Sequence, residues 1–163
     1  MSRMMFAGLV PAMLLCTAPA ANAQMMMQGN VTSAQALTIV HRAIDACRDA
    51  SISITVLDRD GNVRLQVRGN GANPHNLELS RRKAYTARTF RTTSAEWAKR
   101  TAPSEDLTGQ RGLSDVIPLG GGVPIVVKGE VIGAVGISGA NGGMPREEAC
   151  SKVGIDAIMG ELS

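Results

Sequence analysis

Two periods of hydrophobic and polar positions organise this chain. Over residues 31–50 the apolar positions Leu37, Val40, Ile44 and Cys47 recur at intervals of three and four, which predicts a helix. Thr32 and Gln35 form a capping box at its start, each side chain satisfying a backbone N–H that the first turn leaves unpaired. The period then drops to two. Ile52, Ile54 and Val56 point one way and Ser53 and Thr55 the other. After Asp58-Arg59-Asp60-Gly61-Asn62, the residues Val63, Leu65 and Val67 alternate again. An Asp-Gly pair between two alternating runs predicts a β-hairpin. Residues 69–74 are rich in turn formers, 76–91 read as a second helix, and Thr93 with Glu96 caps a short third one. Past a polar loop at 103–112, the apolar runs 116–119, 123–127 and 131–138 read as strands, divided by Gly120-Gly121-Gly122 and Lys128-Gly129-Glu130. Pro145 opens a last helix reaching to about residue 162, with Glu147 and Glu148 placed to meet the positive end of its dipole.

The predicted order is α-ββ-αα-βββ-α. Turns this short within each strand group demand antiparallel pairing, since a parallel pair needs a crossover of about a dozen residues. The fold class is therefore α/β of the α+β kind: a single antiparallel five-stranded sheet covered by helices. A length of 163 residues suits one such domain.

The N-terminus is read separately. Residues 1–23 have the form of a secretory signal peptide: Arg3 supplies the positive start, 4–16 the apolar run, and Ala21-Asn22-Ala23 the cleavage site. The apolar run is shorter than the roughly 18 residues a membrane span needs. A periplasmic or secreted protein follows, with a flexible segment at 24–30 that includes Met25-Met26-Met27, and a domain at 31–163. Two of the three cysteines lie in that domain, and an even count in an oxidising compartment points to a disulfide between Cys47 and Cys150. Each falls on the apolar stripe of its helix, and the two ends meet if the first and last helices pack antiparallel. The rival is two separately packed thiols.

Composition adds little: 44% hydrophobic and 19% charged residues describe a globular chain, and a net charge of +3 gives no general reason to expect nucleic acid as a partner. The charge distribution is more informative. Residues 81–100 hold Arg81, Arg82, Lys83, Arg88, Arg91, Lys99 and Arg100 against Glu96 alone, together with Tyr85, Phe90 and Trp97. Leu79, Lys83, Thr86 and Phe90 fall on one stripe of the second helix. A flat apolar ligand with anionic groups suits that stripe, its acids meeting Lys83 or Arg82; a solvated basic face above a core stripe is the alternative. The glycines 120–122 lack the following helix and the Gly-Lys-Ser/Thr of a nucleotide loop, so a tight hairpin bordering a pocket, with Gly121 and Gly122 on its rim, is the better reading. No nucleophile elbow or acid/base pair is present to require an enzyme. His41 borders the apolar face of the first helix and His75 lies in the turn before the second; neutral imidazole is a common iron ligand, but a satisfied helix-edge histidine and a loop histidine are the better readings of each alone.

Four segments together resemble the GlcG/HbpS-like haem-binding proteins, also called the haem-degrading domain family. They are Val56-Leu57-Asp58-Arg59-Asp60-Gly61-Asn62, Arg82-Lys83-Ala84-Tyr85-Thr86-Ala87, Leu119-Gly120-Gly121-Gly122-Val123-Pro124-Ile125 and the run from Gly129 to Gly139. The resemblance implies a profilin-like sandwich, assembly into homo-oligomers, and haem as the cofactor of an exported protein in haem or redox sensing or haem handling. It implies Thr86 or His41 as the candidate iron ligand, with Arg82, Lys83, Tyr85, Phe90, Gly121 and Gly122 around the ligand. A sensor or membrane protein is the partner such a role invites. The alternative within the same resemblance is an accessory protein or enzyme of small hydroxy-acid (glycolate-type) or cobalamin and propanediol metabolism, acting on another small anionic ligand.

Overall fold

A computed structural model describes residues 28–48 and 51–162 of the protein. The expected signal peptide and the methionine run lie outside the described residues. The elements are α1 (Ser33–Ala46), β1 (Ser53–Asp58), β2 (Val63–Arg68), α2 (Asn76–Phe90), α3 (Ser94–Arg100), β3 (Gly122–Val127), β4 (Glu130–Ser138) and α4 (Gly143–Met159), with a short 3₁₀ turn at Thr108–Gly112. The capping box at α1 is formed: Thr32 Oγ1 accepts from Gln35 N and Gln35 Oε1 from Thr32 N.

The sheet has four strands in the order β2-β1-β4-β3, every pair antiparallel. The expected fifth strand, at 116–119, is absent, for a reason its backbone shows. Ile117 N donates to Thr86 Oγ1 at 2.9 Å, the Val116 carbonyl accepts from Arg82 Nη2 at 2.6 Å, and Leu119 N turns back onto the Ile117 carbonyl. These main-chain groups pair with side chains of α2 and within the segment itself instead of with a neighbouring strand.

Helices cover both faces of the sheet. On one side Ile54, Val56, Ile125, Val135 and Ile137 pack with Ile39 and Ala43 of α1 and Ile155 and Ile158 of α4 in the main core. On the other, Leu57 and Ala134 meet Ala84 and Ala87 of α2. The second face is small and polar as well as apolar. The hydroxyls of Thr55 and Ser80 lie 2.8 Å apart, and Gln66 Nε2 donates to Thr55 Oγ1 and to the Leu77 carbonyl. A Cβ on Gly136 would sit 2.1 Å from the Ser80 carbonyl oxygen, so α2 lies directly on the backbone of β4.

The buried side of α1 differs from the expected stripe. Ala36, Ile39, Val40, Ala43 and Cys47 are buried, whereas Leu37 is 50% and Ile44 39% exposed. The buried face runs through 36, 39, 40, 43 and 47, and α4 approaches it closely: a Cβ on Gly154 would lie 2.7 Å from the Ile39 carbonyl oxygen, while Leu37 and Ile44 sit at its edge. Cys47 and Cys150 are joined as a disulfide across this same seam, with Cα atoms 6.1 Å apart.

Candidate functional site

The site grows from the glycines at 120–122. They do not turn one strand into another; they let three helices converge on the start of β3. A Cβ on Gly122 would lie 2.1 Å from the Lys83 carbonyl oxygen, and Gly122 N donates to Ser94 Oγ of α3 at 2.8 Å. Gly121 has φ +111, and a Cβ there would meet the Ile137 carbonyl oxygen and Glu147 Oε2 of α4. Gly120 N donates to Met144 Sδ at 3.0 Å.

Beneath these glycines lies an ion pair that crosses from one helical layer to the other. Lys83 Nζ of α2 donates to Glu147 Oε2 of α4 at 2.6 Å and to the Ile137 carbonyl at 3.2 Å. Glu147 Oε1 accepts from Gly139 N at 2.8 Å. Both side chains are nearly fully enclosed, at 3% and 6% exposure. Glu147 is thus a buried partner of Lys83 and not a surface charge answering the helix dipole. Lys83 in turn is held inward, away from any ligand on the outside of α2.

Other residues of the α2 stripe are likewise closed in. Thr86 is fully buried; its hydroxyl donates to the Arg82 carbonyl at 2.8 Å and accepts from Ile117 N. Phe90 stacks on Trp97 with ring centroids 4.8 Å apart, and Trp97 Nε1 donates to Gln110 Oε1. Tyr85 packs beside Leu57, Ala84 and Ala134 and against Gly61 in the β1–β2 turn. Residues 116–119 and α3 pack over the stripe and enclose Lys83 and Thr86, while Arg82, Tyr85 and Phe90 stay half-buried. His41 is exposed on α1, across the sheet from Thr86, in a shallow recess with Thr38, Arg42 and Asp45. The structure does not bring the two candidate iron ligands together.

An open groove lies next to the glycines instead. It has a volume of about 670 Å³ and runs between α3 and the start of α4. Its floor is small and apolar, made by Ala95, Ala98, Pro118, Gly120, Pro145 and Ala149 with the Met144 thioether. Lys99 of α3 and Lys152 of α4 stand on its two walls, 73% and 55% exposed, each paired along its own helix with Glu96 or Glu148. Glu96 holds its carboxyl below the usual range through its hydrogen bond from Lys99, and Lys99 is raised by the same contact. Sequence reasoning placed the basic segment and the glycines, but it did not join Lys99 to Lys152, which lies on a different helix.

Comparison with known proteins agrees with this architecture. The family model described as HbpS-like haem-degrading protein matches residues 31–156. An uncharacterized 15.0 kDa protein from the dhaT-dhaS intergenic region of Citrobacter freundii is 34% identical over 90 residues; the match spans 54% of this chain and 63% of that protein's length. Among solved structures, an HbpS double mutant from Streptomyces reticuli has a TM-score of 0.77 at 26% identity, covering 91% of this chain and 99% of its own. A complex of PduOC with haem has a TM-score of 0.73 at 23% identity, covering 78% and 94%, and shares the fold. With the family model spanning nearly all of the described domain, the chain belongs to the HbpS-like haem-degrading protein family.

Proposed function

We propose that this is an exported haem-binding protein and that the groove between α3 and α4 is where haem lies. The observation that carries the reading is the pairing of a small apolar floor with a lysine on each wall. A porphyrin is flat and apolar with two carboxylates at one edge, and its volume suits a groove of this size. Ala95, Ala98, Ala149 and Gly120 leave room for the ring, while Lys99 and Lys152 are placed to meet the propionates. Their present partners lie on the same helix, Glu96 exposed and Glu148 half-buried, and such helix-surface pairs are worth little and readily exchanged. When bound, haem would supply iron-centred redox chemistry, tuned by its axial ligand and by burial. The complex of haem with PduOC, a protein of the same fold, supports haem as the ligand. The Cys47–Cys150 bridge supports export, because disulfides persist in oxidising compartments.

Titrating residues 24–163 with haemin tests the reading. The expected result is a saturable Soret shift at one haem per chain or per pair of chains, weakened when Lys99→Glu and Lys152→Glu are combined. With haem in the groove, His41→Ala leaves the Soret spectrum as it is. A wild-type titration matching that of an unrelated protein removes haem as the ligand. A full-strength titration by the charge-reversed protein moves haem away from the groove.

A further inference from the structure

At the opposite end of β4 from the groove, three arginines reach one small recess. Arg59 comes from the turn between β1 and β2, Arg88 from the last turn of α2, and Arg91 from the residue that ends that helix; Gly129, Glu130 and Val131 close a space of about 200 Å³. Arg59 is fixed: its Nε donates to the Gly29 carbonyl at 2.7 Å and its Nη2 to Glu130 Oε2 at 2.6 Å. Arg88 and Arg91 are not. Among the described residues neither forms an ion pair with a carboxylate, and the buried Nε of Arg88 has no hydrogen-bond partner. Burial lowers the Arg88 pKa, and the charges of Arg59 and Arg91 lower it further. The charges of Asp60 and Asp58 offset this only in part. Asp58 is already engaged by Asp60 N, Asn62 N and Arg64, and Asp60 forms no ion pair with either arginine.

Arg91 adopts φ 55 as the left-handed residue that ends α2, which carries its side chain off the helix to the recess edge. Three guanidiniums lining a recess with one carboxylate leave an excess of positive charge that Asp58 and Asp60 offset only in part, and one donor, Arg88 Nε, is desolvated without a partner, an arrangement that is unfavourable until an anion joins it. Guanidinium forks match the oxygens of phosphate in pairs.

We infer that this recess binds a small tetrahedral oxyanion, free phosphate or the phosphate of a small phosphomonoester, through Arg88 and Arg91, with Arg59 as the fixed third donor. The excess of positive charge suits an anion, and a space of about 200 Å³ accommodates a phosphate group. The site stands apart from the groove and does not rest on haem binding.

Calorimetric titration of residues 24–163 with inorganic phosphate at low ionic strength tests it, with chloride matched throughout. Saturable binding is expected. Arg91→Asn removes one donor while keeping a residue that tolerates left-handed backbone, and should weaken phosphate about tenfold or more; Arg88→Gln should do the same. Circular dichroism checks that both variants fold, and their haemin titrations should match wild type. A small phosphomonoester binding more tightly than phosphate identifies the ester as the ligand, and equal affinity identifies phosphate itself. No saturable phosphate binding, or undiminished binding in both variants, overturns the inference. So does a loss of haemin affinity in Arg91→Asn, which would give the recess to a haem propionate.

Discussion

Lys83 and Glu147 show what a buried pair demands of its neighbours. Each charge has a second contact, Lys83 to the Ile137 carbonyl and Glu147 to Gly139 N, so the pair is enclosed without being stranded. Removing one member leaves the other charged, desolvated and short of a partner. Lys83→Met is expected to cost about 3 to 5 kcal/mol of stability in urea denaturation, and replacing Glu147 with Met as well should recover most of it. A single substitution costing under about 1 kcal/mol would mean that water reaches the pair and that it does not hold the layers together. Lys83 could be singled out in the sequence because it sits in a dense basic segment beside aromatics. Its partner could not, because Glu147 follows Pro145 at the start of a helix, where local chemistry already accounts for a carboxylate. Nothing in residue spacing shows that a side chain 64 positions away will be its counter-charge. Thr86 illustrates the same limit: its hydroxyl looks available on a helical wheel, yet residues 116–119 occupy it.

Among the elements, those whose determinants are local were legible, and those set by distant partners were not. The α1 capping box, the Asp58 turn, the Thr93 cap of α3 and the strands β3 and β4 all follow from residues within a few positions of one another. Residues 116–119 carry a strand's apolar character but lose their ladder to α2. In α1 the large residues Leu37 and Ile44 advertise a core stripe, while the face that α4 covers runs through Ala36, Ile39, Val40 and Ala43 and leaves those two at its edge. The start of α2 is tied to the loop at 115 by Arg81, which pairs with Glu78 and with Asp115. Hydrogen bonding from Arg81 lowers the Glu78 pKa from its usual 4.5, against a smaller opposing effect of desolvation. A depressed carboxylate contributes stability that is complete above the unfolded value and lost as pH falls through the folded one. The contribution therefore fades below pH 4.5 and, for so exposed a pair, amounts to no more than about 1 kcal/mol. Glu78→Gln should accordingly narrow its stability gap to wild type as urea melts are repeated at successively lower pH. A gap unchanged down to acid unfolding would show that the contact adds nothing.

For the molecule as a whole, the helices cover both sheet faces but leave apolar side chains on their outer surface. Leu37 and Ile44 of α1 and Val153 of α4 remain 50%, 39% and 47% exposed. We expect self-association to cover part of this surface, so light scattering of residues 24–163 should give a multiple of the chain mass; a clean monomer at micromolar concentration would refute it. The Cys47–Cys150 bond has a different kind of consequence at this scale. It closes a covalent ring that contains the whole sheet, α2 and α3, leaving all of α1 and the second half of α4 outside it as tails. The exposed stretch 103–109 lies inside that ring. A protease that cuts after Glu105 therefore opens the ring without releasing a fragment: the nicked protein runs as one species until reductant is added, and only then separates into two.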